Sequence, residues 1–261
     1  MSERKFNKIS KALICAIIIL SVASSVALIT LLFGGIRSDV SFFKTKKEPS
    51  YGSKLAATTD YGQYYIDSMM FIGDSTIAGM VNAGVLKNGT ATDQVWTGES
   101  GDLPLDYNID TANVTCSALD AALPIAEAIR ERSPDHVVIT LGINNGVPYC
   151  TEEKFKEYYQ KLITAINDAN PDAKIILQSI LPVSESYAKS TSGITAEKIN
   201  VANKWIAELA EQNNVRYLDT ASVLKNSKGY LDSKYDSGNG LILNADGYNT
   251  VLTYIRTHGY K

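Results

Sequence analysis

Short apolar runs alternate with amphipathic segments from Tyr61 to the end of the chain. The runs have the length and composition of buried strands and cover Met69–Gly73, His136–Gly142, Lys174–Ser179 and Val215–Asp219, with a weaker run at Asp93–Trp96. Between the runs, apolar side chains recur at helical spacing, in the sets Leu119, Leu123, Ala126 and Ile129; Phe155, Tyr159, Leu162 and Ile166; and Ile199, Ala202, Ile206 and Leu209. This alternation predicts a three-layer α/β/α sandwich with a parallel five-stranded sheet.

A longer apolar stretch without charged side chains precedes this region, at Ala12–Phe33. A helix of this length would extend about 33 Å, which is enough to cross the roughly 30 Å hydrocarbon core of a bilayer. Four basic residues and one acidic residue precede it, so the positive-inside tendency keeps the N-terminus in the cytoplasm. We therefore expect a cytoplasmic tail (1–11), a transmembrane helix (12–33), a linker (34–60) and an extracytoplasmic domain (61–261).

Two other interpretations of the N-terminal stretch remain open. A cleaved signal peptide usually has a shorter apolar region that ends at a small-residue cleavage site, whereas this one continues to Gly34. A lipoprotein would use Cys15, but bulky Ile14 precedes that cysteine. A single-pass protein of the cell membrane is the prediction that we carry forward.

The overall composition is that of an ordinary globular protein, with 45% hydrophobic and 20% charged residues and a net charge of −3. A nucleic-acid-binding protein would need a basic face, so DNA and RNA are excluded as expected partners. Histidines and carboxylates do not cluster at the spacing of metal ligands, so no metal site is expected.

The carboxyl ends of parallel strands meet at one edge of the sheet, where three loops carry groups suited to acyl chemistry. Ser75 follows the first strand at the start of a helix, whose N–H groups favour a developing negative charge. Gly98 can bring a backbone N–H close to a ligand, and Asn144 can donate from its side-chain amide. Each motif alone is also an ordinary turn.

Together, Gly-Asp-Ser at 73–75, Gly98 and the Gly-x-Asn at 142–144 resemble the SGNH (GDSL) hydrolases in order and spacing, over essentially all of residues 61–261. The resemblance implies an SGNH-type, flavodoxin-like fold with Ser75 as the nucleophile. It also implies an oxyanion hole formed by the Ser75 N–H, the Gly98 N–H and the Asn144 amide, with Asp74 supporting the site. Members of the family act on acyl esters, including acylated carbohydrates, and need no metal or other cofactor.

The sequence departs from the family pattern in the last loop. The family has Asp-x-x-His there, whereas this chain has Asn239 and Ile242. Asp236 is a candidate substitute in support of the site, but an exposed carboxylate is poorly matched to a serine hydroxyl as a base. The two histidines, His136 and His258, are expected to lie too far from Ser75 to accept its proton.

Two functions therefore stay open. The first is an ester hydrolase or acyltransferase that acts on acylated glycan or envelope components at a bacterial surface. The second is a catalytically inactive protein that binds an acylated ligand or serves as a scaffold for a partner. In a third arrangement, a protein partner supplies the missing base. No feature of the sequence tests this arrangement.

Two cysteines, Cys116 and Cys150, are predicted near the site edge of the sheet. In an extracytoplasmic domain they are candidates for a disulfide, and two separate thiols are the equal alternative.

Overall fold

The computed structural model describes residues 52–260, apart from positions 118, 120 and 192. The predicted transmembrane helix at Ala12–Phe33 lies outside these residues. Among the helices in the described part of the chain, none is long and apolar enough to cross a membrane.

The strands are β1 (Met69–Gly73), β2 (Val95–Trp96), β3 (Asn113–Val114), β4 (Leu123–Pro124), β5 (His136–Thr140), β6 (Lys174–Gln178) and β7 (Arg216–Leu218). The helices are α1 (Gly62–Asp67), α2 (Ser75–Ala83), α3 (Ile125–Arg132), α4 (Gly146–Tyr149), α5 (Glu152–Ala169), α6 (Glu185–Ser190), α7 (Ala196–Gln212) and α8 (Ala245–Arg256).

Five strands form one parallel sheet in the order β2-β1-β5-β6-β7, and β3 pairs with β4 in a separate antiparallel ladder. This confirms the predicted parallel five-stranded sheet. Because chain order and spatial order differ, β2 lies outside β1 while β5 lies on its other side. The carboxyl ends of β1, β2 and β5 therefore lie next to one another.

Alternate side chains of the central strands enter two separate cores, as the pleat of a strand requires. Ile72, Val137 and Ile139 pack with the apolar faces of α3, α5 and α7 on one side of the sheet. Phe71 and Val138 pack with α1, α2 and α8 on the other side. The sheet thus has helices on both faces, and the predicted three-layer α/β/α sandwich is confirmed.

Two boundaries differ from the sequence expectations. The helix predicted from Leu119 begins only at Ile125, because Leu123 and Pro124 pair with β3 and Pro124 occupies the position before the first helical residue. Part of the predicted linker is packed on the domain, since Tyr217 of β7 exchanges backbone hydrogen bonds with Ser53 and Leu55. The folded region therefore extends N-terminally of Tyr61.

Candidate active site

Ser75 is the first residue of α2 and follows directly on β1. Gly73, the last residue of β1, lies so close to β5 that a Cβ atom there would come within 2.0 Å of the Thr140 carbonyl oxygen. This close approach lets the Asp74 N–H donate to the same oxygen, at 3.2 Å. The chain then turns sharply into the helix and leaves the Ser75 side chain half-buried at its N-terminus.

The buried carboxylate of Asp74 connects the two loops that carry Ser75 and Asn144. One oxygen caps α2 by accepting hydrogen bonds from the Thr76 N–H and hydroxyl, at 3.1 and 2.6 Å. The other accepts from the Gly142 and Ile143 N–H groups, at 3.0 and 3.1 Å. Burial raises the pKa of Asp74 to about 6, against the opposing effect of the hydrogen bonds from Thr76. Asp74 therefore positions the site.

The Asn144 amide lies beside the Ser75 hydroxyl. Its Nδ2 donates to Ser75 Oγ at 3.1 Å and to Asp102 Oδ1 at 2.8 Å. The Ser75 N–H donates to the same carboxylate oxygen at 3.1 Å. Two N–H donors thus converge on one oxygen atom next to the serine hydroxyl, which is the arrangement that stabilises an acyl oxyanion.

Asp102, which the sequence analysis missed, reaches this position on the loop that follows β2. A Cβ atom at Gly98 would lie 2.2 Å from the Asp102 carbonyl oxygen, so only glycine fits where the loop folds back on itself. The Gly101 N–H closes the turn by donating to the Gly98 carbonyl at 2.8 Å. The structure therefore packs Gly98 against the backbone of Asp102, and the Asp102 residue is half-buried.

Two buried tyrosines form hydrogen bonds to the backbone next to Ser75 and next to Gly142. The sequence analysis also missed them as site residues. The Tyr159 hydroxyl of α5 donates to the Leu141 carbonyl at 2.8 Å and accepts from the Leu141 N–H at 3.2 Å. The Tyr248 hydroxyl of α8 donates to the Thr76 carbonyl in the first turn of α2. Helical spacing had predicted only that Tyr159 belongs to the core, because spacing does not reveal a hydroxyl partner.

The last loop contains Asn239 and Ile242, which the sequence analysis assigned to the expected aspartate and histidine positions. Asn239 Oδ1 accepts from the Leu241 and Ile242 N–H groups, at 2.9 and 2.8 Å. Ile242 packs against α2, since a Cβ atom at Gly79 would come within 2.6 Å of its Cγ2. Gly79 lies one helical turn beyond Ser75, so the Ile242 side chain faces the helix that carries the serine.

Asp236 has its oxygen Oδ1 engaged within the same loop, where it accepts from the Gly238 and Gly240 N–H groups at 2.8 and 2.9 Å. Within residues 52–260, its carboxylate makes no hydrogen bond to Ser75. The contacts of Asp236 are those of a residue that shapes the last loop.

Neither histidine contacts the site. His136 begins β5, where it pairs with Met69, whereas Thr140 at the other end of the strand pairs with Gly73. Its Nε2 lies 2.8 Å from the Tyr260 carbonyl, and burial lowers its pKa. His258 follows α8, stacks on Tyr254 and has Nδ1 2.9 Å from the Tyr254 carbonyl.

Cys116 and Cys150 are half-buried, and the structure joins them by no disulfide. The Cys150 thiol lies 3.6 Å from the Asn145 carbonyl, and burial raises its pKa. In the part of the chain that the structure describes, histidine, cysteine and carboxylate side chains form no group able to hold a metal ion.

Comparison with protein-family models gave a match. The sequence model of the GDSL-like lipase/acylhydrolase family matches residues 71–249. A search of curated proteins gave no match.

Two solved structures are similar to this chain. A Streptococcus pneumonia protein provisionally described as a platelet activating factor is 18% identical, with a TM-score of 0.51 over 72% of this chain and 81% of its own. A Bacteroides fragilis protein provisionally described as an acylhydrolase is 18% identical, with a TM-score of 0.49 over 73% of this chain and 89% of its own. At this identity the first similarity establishes the fold alone.

Proposed function

Because the chain belongs to the GDSL-like lipase/acylhydrolase family, we propose that it is a slow, serine-dependent ester hydrolase or acyltransferase. The observation that carries this proposal is the convergence of the Ser75 N–H and the Asn144 amide on one oxygen atom beside Ser75 Oγ. An acyl carbonyl oxygen at that point would receive two hydrogen bonds while its carbon faced the serine hydroxyl.

In the proposed reaction, Ser75 Oγ forms a bond to the acyl carbon, and the carbonyl oxygen takes up the negative charge. The Ser75 N–H and the Asn144 amide donate to that oxygen. The hydroxyl proton goes to water or hydroxide, because neither His136 nor His258 reaches the serine. The alcohol then leaves, taking a proton from water. Water or an acceptor hydroxyl then attacks the acyl carbon and loses its proton to solvent, while the bond from that carbon to Oγ breaks and Oγ regains a proton from water.

Slow turnover follows from the missing imidazole. In subtilisin, loss of the base lowers kcat by about 10⁶, while the oxyanion hole and substrate binding retain a rate about 10³ to 10⁴ above that in water. A site with Ile242 in place of the histidine keeps only the part of the rate enhancement that comes from the oxyanion hole and substrate binding.

The substrate and location are further parts of the proposal. The apolar stretch at Ala12–Phe33 supports an anchor that holds the domain outside the cytoplasmic membrane of a bacterium. An anchored acyl-ester site on that face would meet acylated glycans and other envelope components, which we propose as its ligands.

A second function is favoured by one specific observation, the apolar Ile242 packed against the helix of the nucleophile. An apolar group there suits the retention of an acyl chain better than proton transfer. In this alternative the protein binds an acylated ligand, or holds a partner protein, without turning the ligand over.

Hydrolysis of p-nitrophenyl acetate by the full-length chain in detergent separates the two functions. The matched variants are Ser75→Ala and Ser100→Ala, which removes an exposed hydroxyl from the loop that carries Asp102. The proposed enzyme hydrolyses the ester in its wild-type form and as Ser100→Ala, and loses this activity as Ser75→Ala. Equal rates in all three proteins would exclude serine catalysis and favour the binding function.

A further inference from the structure

The donors of the acyl-oxygen site already have an acceptor in the structure, and it belongs to the chain itself. Asp102 Oδ1 lies 3.1 Å from the Ser75 nitrogen and 2.8 Å from Asn144 Nδ2. These are the same two groups that would hold the carbonyl oxygen of an ester. A side-chain carboxylate therefore occupies the position that the proposed function assigns to the substrate.

This occupancy is incompatible with acyl transfer for two reasons. An N–H pair that already donates to a carboxylate oxygen has no equivalent hydrogen bonds left for a carbonyl oxygen at the same point. In addition, the negative charge of Asp102 would repel the negative charge that develops on the acyl oxygen. Both effects disappear only if the carboxylate moves away.

The loop that carries Asp102 is partly open to solvent. Asp102 is half-buried rather than enclosed, and the preceding Gly101 has a φ of +77° that favours glycine. A Cβ atom built on Gly101 meets no other atom within 4 Å. The partial exposure of Asp102 and the open space beside Gly101 favour a movement of this carboxylate toward solvent.

We propose that Asp102 is an internal competitor for the acyl-oxygen site, so that a ligand binds there only when the Asp102 carboxylate has left. This inference rests on the proposed function for the identity of the site. The ligands with which Asp102 competes directly are carbonyl and carboxylate oxygens, and acetate is the simplest of them because it reproduces the end of the aspartate side chain.

The test is a titration of the full-length, ¹⁵N-labelled chain with sodium acetate, followed at the Ser75 N–H and the Asn144 side-chain amide. Asp102→Ala empties the position, and Glu99→Gln is the matched control because it removes an exposed negative charge from the same loop. Asp102→Ala is expected to bind acetate at least about tenfold more tightly than wild type, the change that corresponds to one charge-assisted hydrogen bond. Glu99→Gln is expected to bind like wild type.

A second variant keeps the test decisive if Asp102→Ala fails to fold. Asp102→Asn retains an oxygen acceptor but removes the charge, so its affinity for acetate is expected to fall between those of wild type and Asp102→Ala. Equal affinity of every folded Asp102 variant and wild type, or an equal gain in Glu99→Gln, would overturn the proposal.

Ester hydrolysis distinguishes this inference from the proposed function. Serine-dependent hydrolysis is expected to rise at least about tenfold in Asp102→Ala, in step with the gain in binding. Acetate binding that increases without any hydrolysis would support the competitor and refute the enzyme. A loss of hydrolysis in Asp102→Ala would identify Asp102 as the base for Ser75 and overturn the competitor.

Discussion

Restoring the two residues that the last loop lacks, through Asn239→Asp and Ile242→His, should convert a slow site into a faster one. The structure supports the placement of both. Aspartate has the oxygen through which Asn239 accepts hydrogen bonds from the N–H groups of residues 241 and 242, so the loop can keep its shape. Residue 242 packs against Gly79 on the helix that begins at Ser75. Four residues of helix span about 6 Å, a distance that an imidazole can largely cover.

The expected gain follows from the chemistry that an imidazole adds. General acid–base catalysis contributes about 10² to 10⁴ to the rate. The revertant also leaves Asp102 in the acyl-oxygen position, so we expect a gain in kcat/KM at the lower end, about 10². A histidine with an ordinary pKa of about 6.5 should make the rate level off above about pH 7.

The assay is hydrolysis of p-nitrophenyl acetate by wild type, Ile242→His, the double revertant and the double revertant with Ser75→Ala. Thermal denaturation establishes that each variant is folded. The gain is expected in the double revertant and should vanish when Ser75 is removed. A folded double revertant with the wild-type rate would refute the placement of residue 242 beside the nucleophile.

Four further outcomes are expected. Asp74→Ala should lower the free energy of unfolding by about 3 kcal/mol or more in chemical denaturation, because it removes a helix cap and leaves the buried N–H groups of Gly142 and Ile143 without an acceptor. Burial raises the pKa of Asp74 to about 6, so the free energy of unfolding of wild type should fall relative to that of Asp74→Asn as the pH rises from about 4 to 6, by roughly 3 kcal/mol. A difference between the two proteins that does not change with pH would contradict this. Tyr248→Phe should cost about 1 kcal/mol through its lost hydrogen bond to Thr76, measured by thermal denaturation. The wild-type hydrolysis rate should increase with hydroxide concentration without a plateau near pH 7, and a plateau there would reveal an unrecognised base.

The parallel sheet and the helices on its faces could be predicted because their signals are local. Strands such as Met69–Gly73 are short apolar runs, and the helical spacing of Phe155, Tyr159 and Leu162 defines one buried face. Once these elements are placed, the shared edge of the sheet brings Ser75 and Asn144 together without further information.

Asp102 could not be predicted in the same way, because its position depends on contacts that have no period. The loop after β2 places it by folding Gly98 against the Asp102 backbone, and nothing in the sequence around it specifies which loop side chain turns toward Ser75. The late start of α3 has a similar origin. Leu123 continues the helical spacing, but pairing with β3 and the following Pro124 hold it in a strand.

The central claim is that Ser75, its own N–H and the Asn144 amide form one acyl-transfer site, and trapping of the acyl group tests it most directly. The full-length chain is incubated with p-nitrophenyl acetate, quenched with acid and digested, and the acetylated peptides are identified by mass spectrometry. The account predicts an acetyl group on Ser75 that accumulates in wild type and is strongly reduced in Asn144→Ala. Acetylation of lysines alone, or equal labelling of Ser75 in wild type and Asn144→Ala, would contradict it.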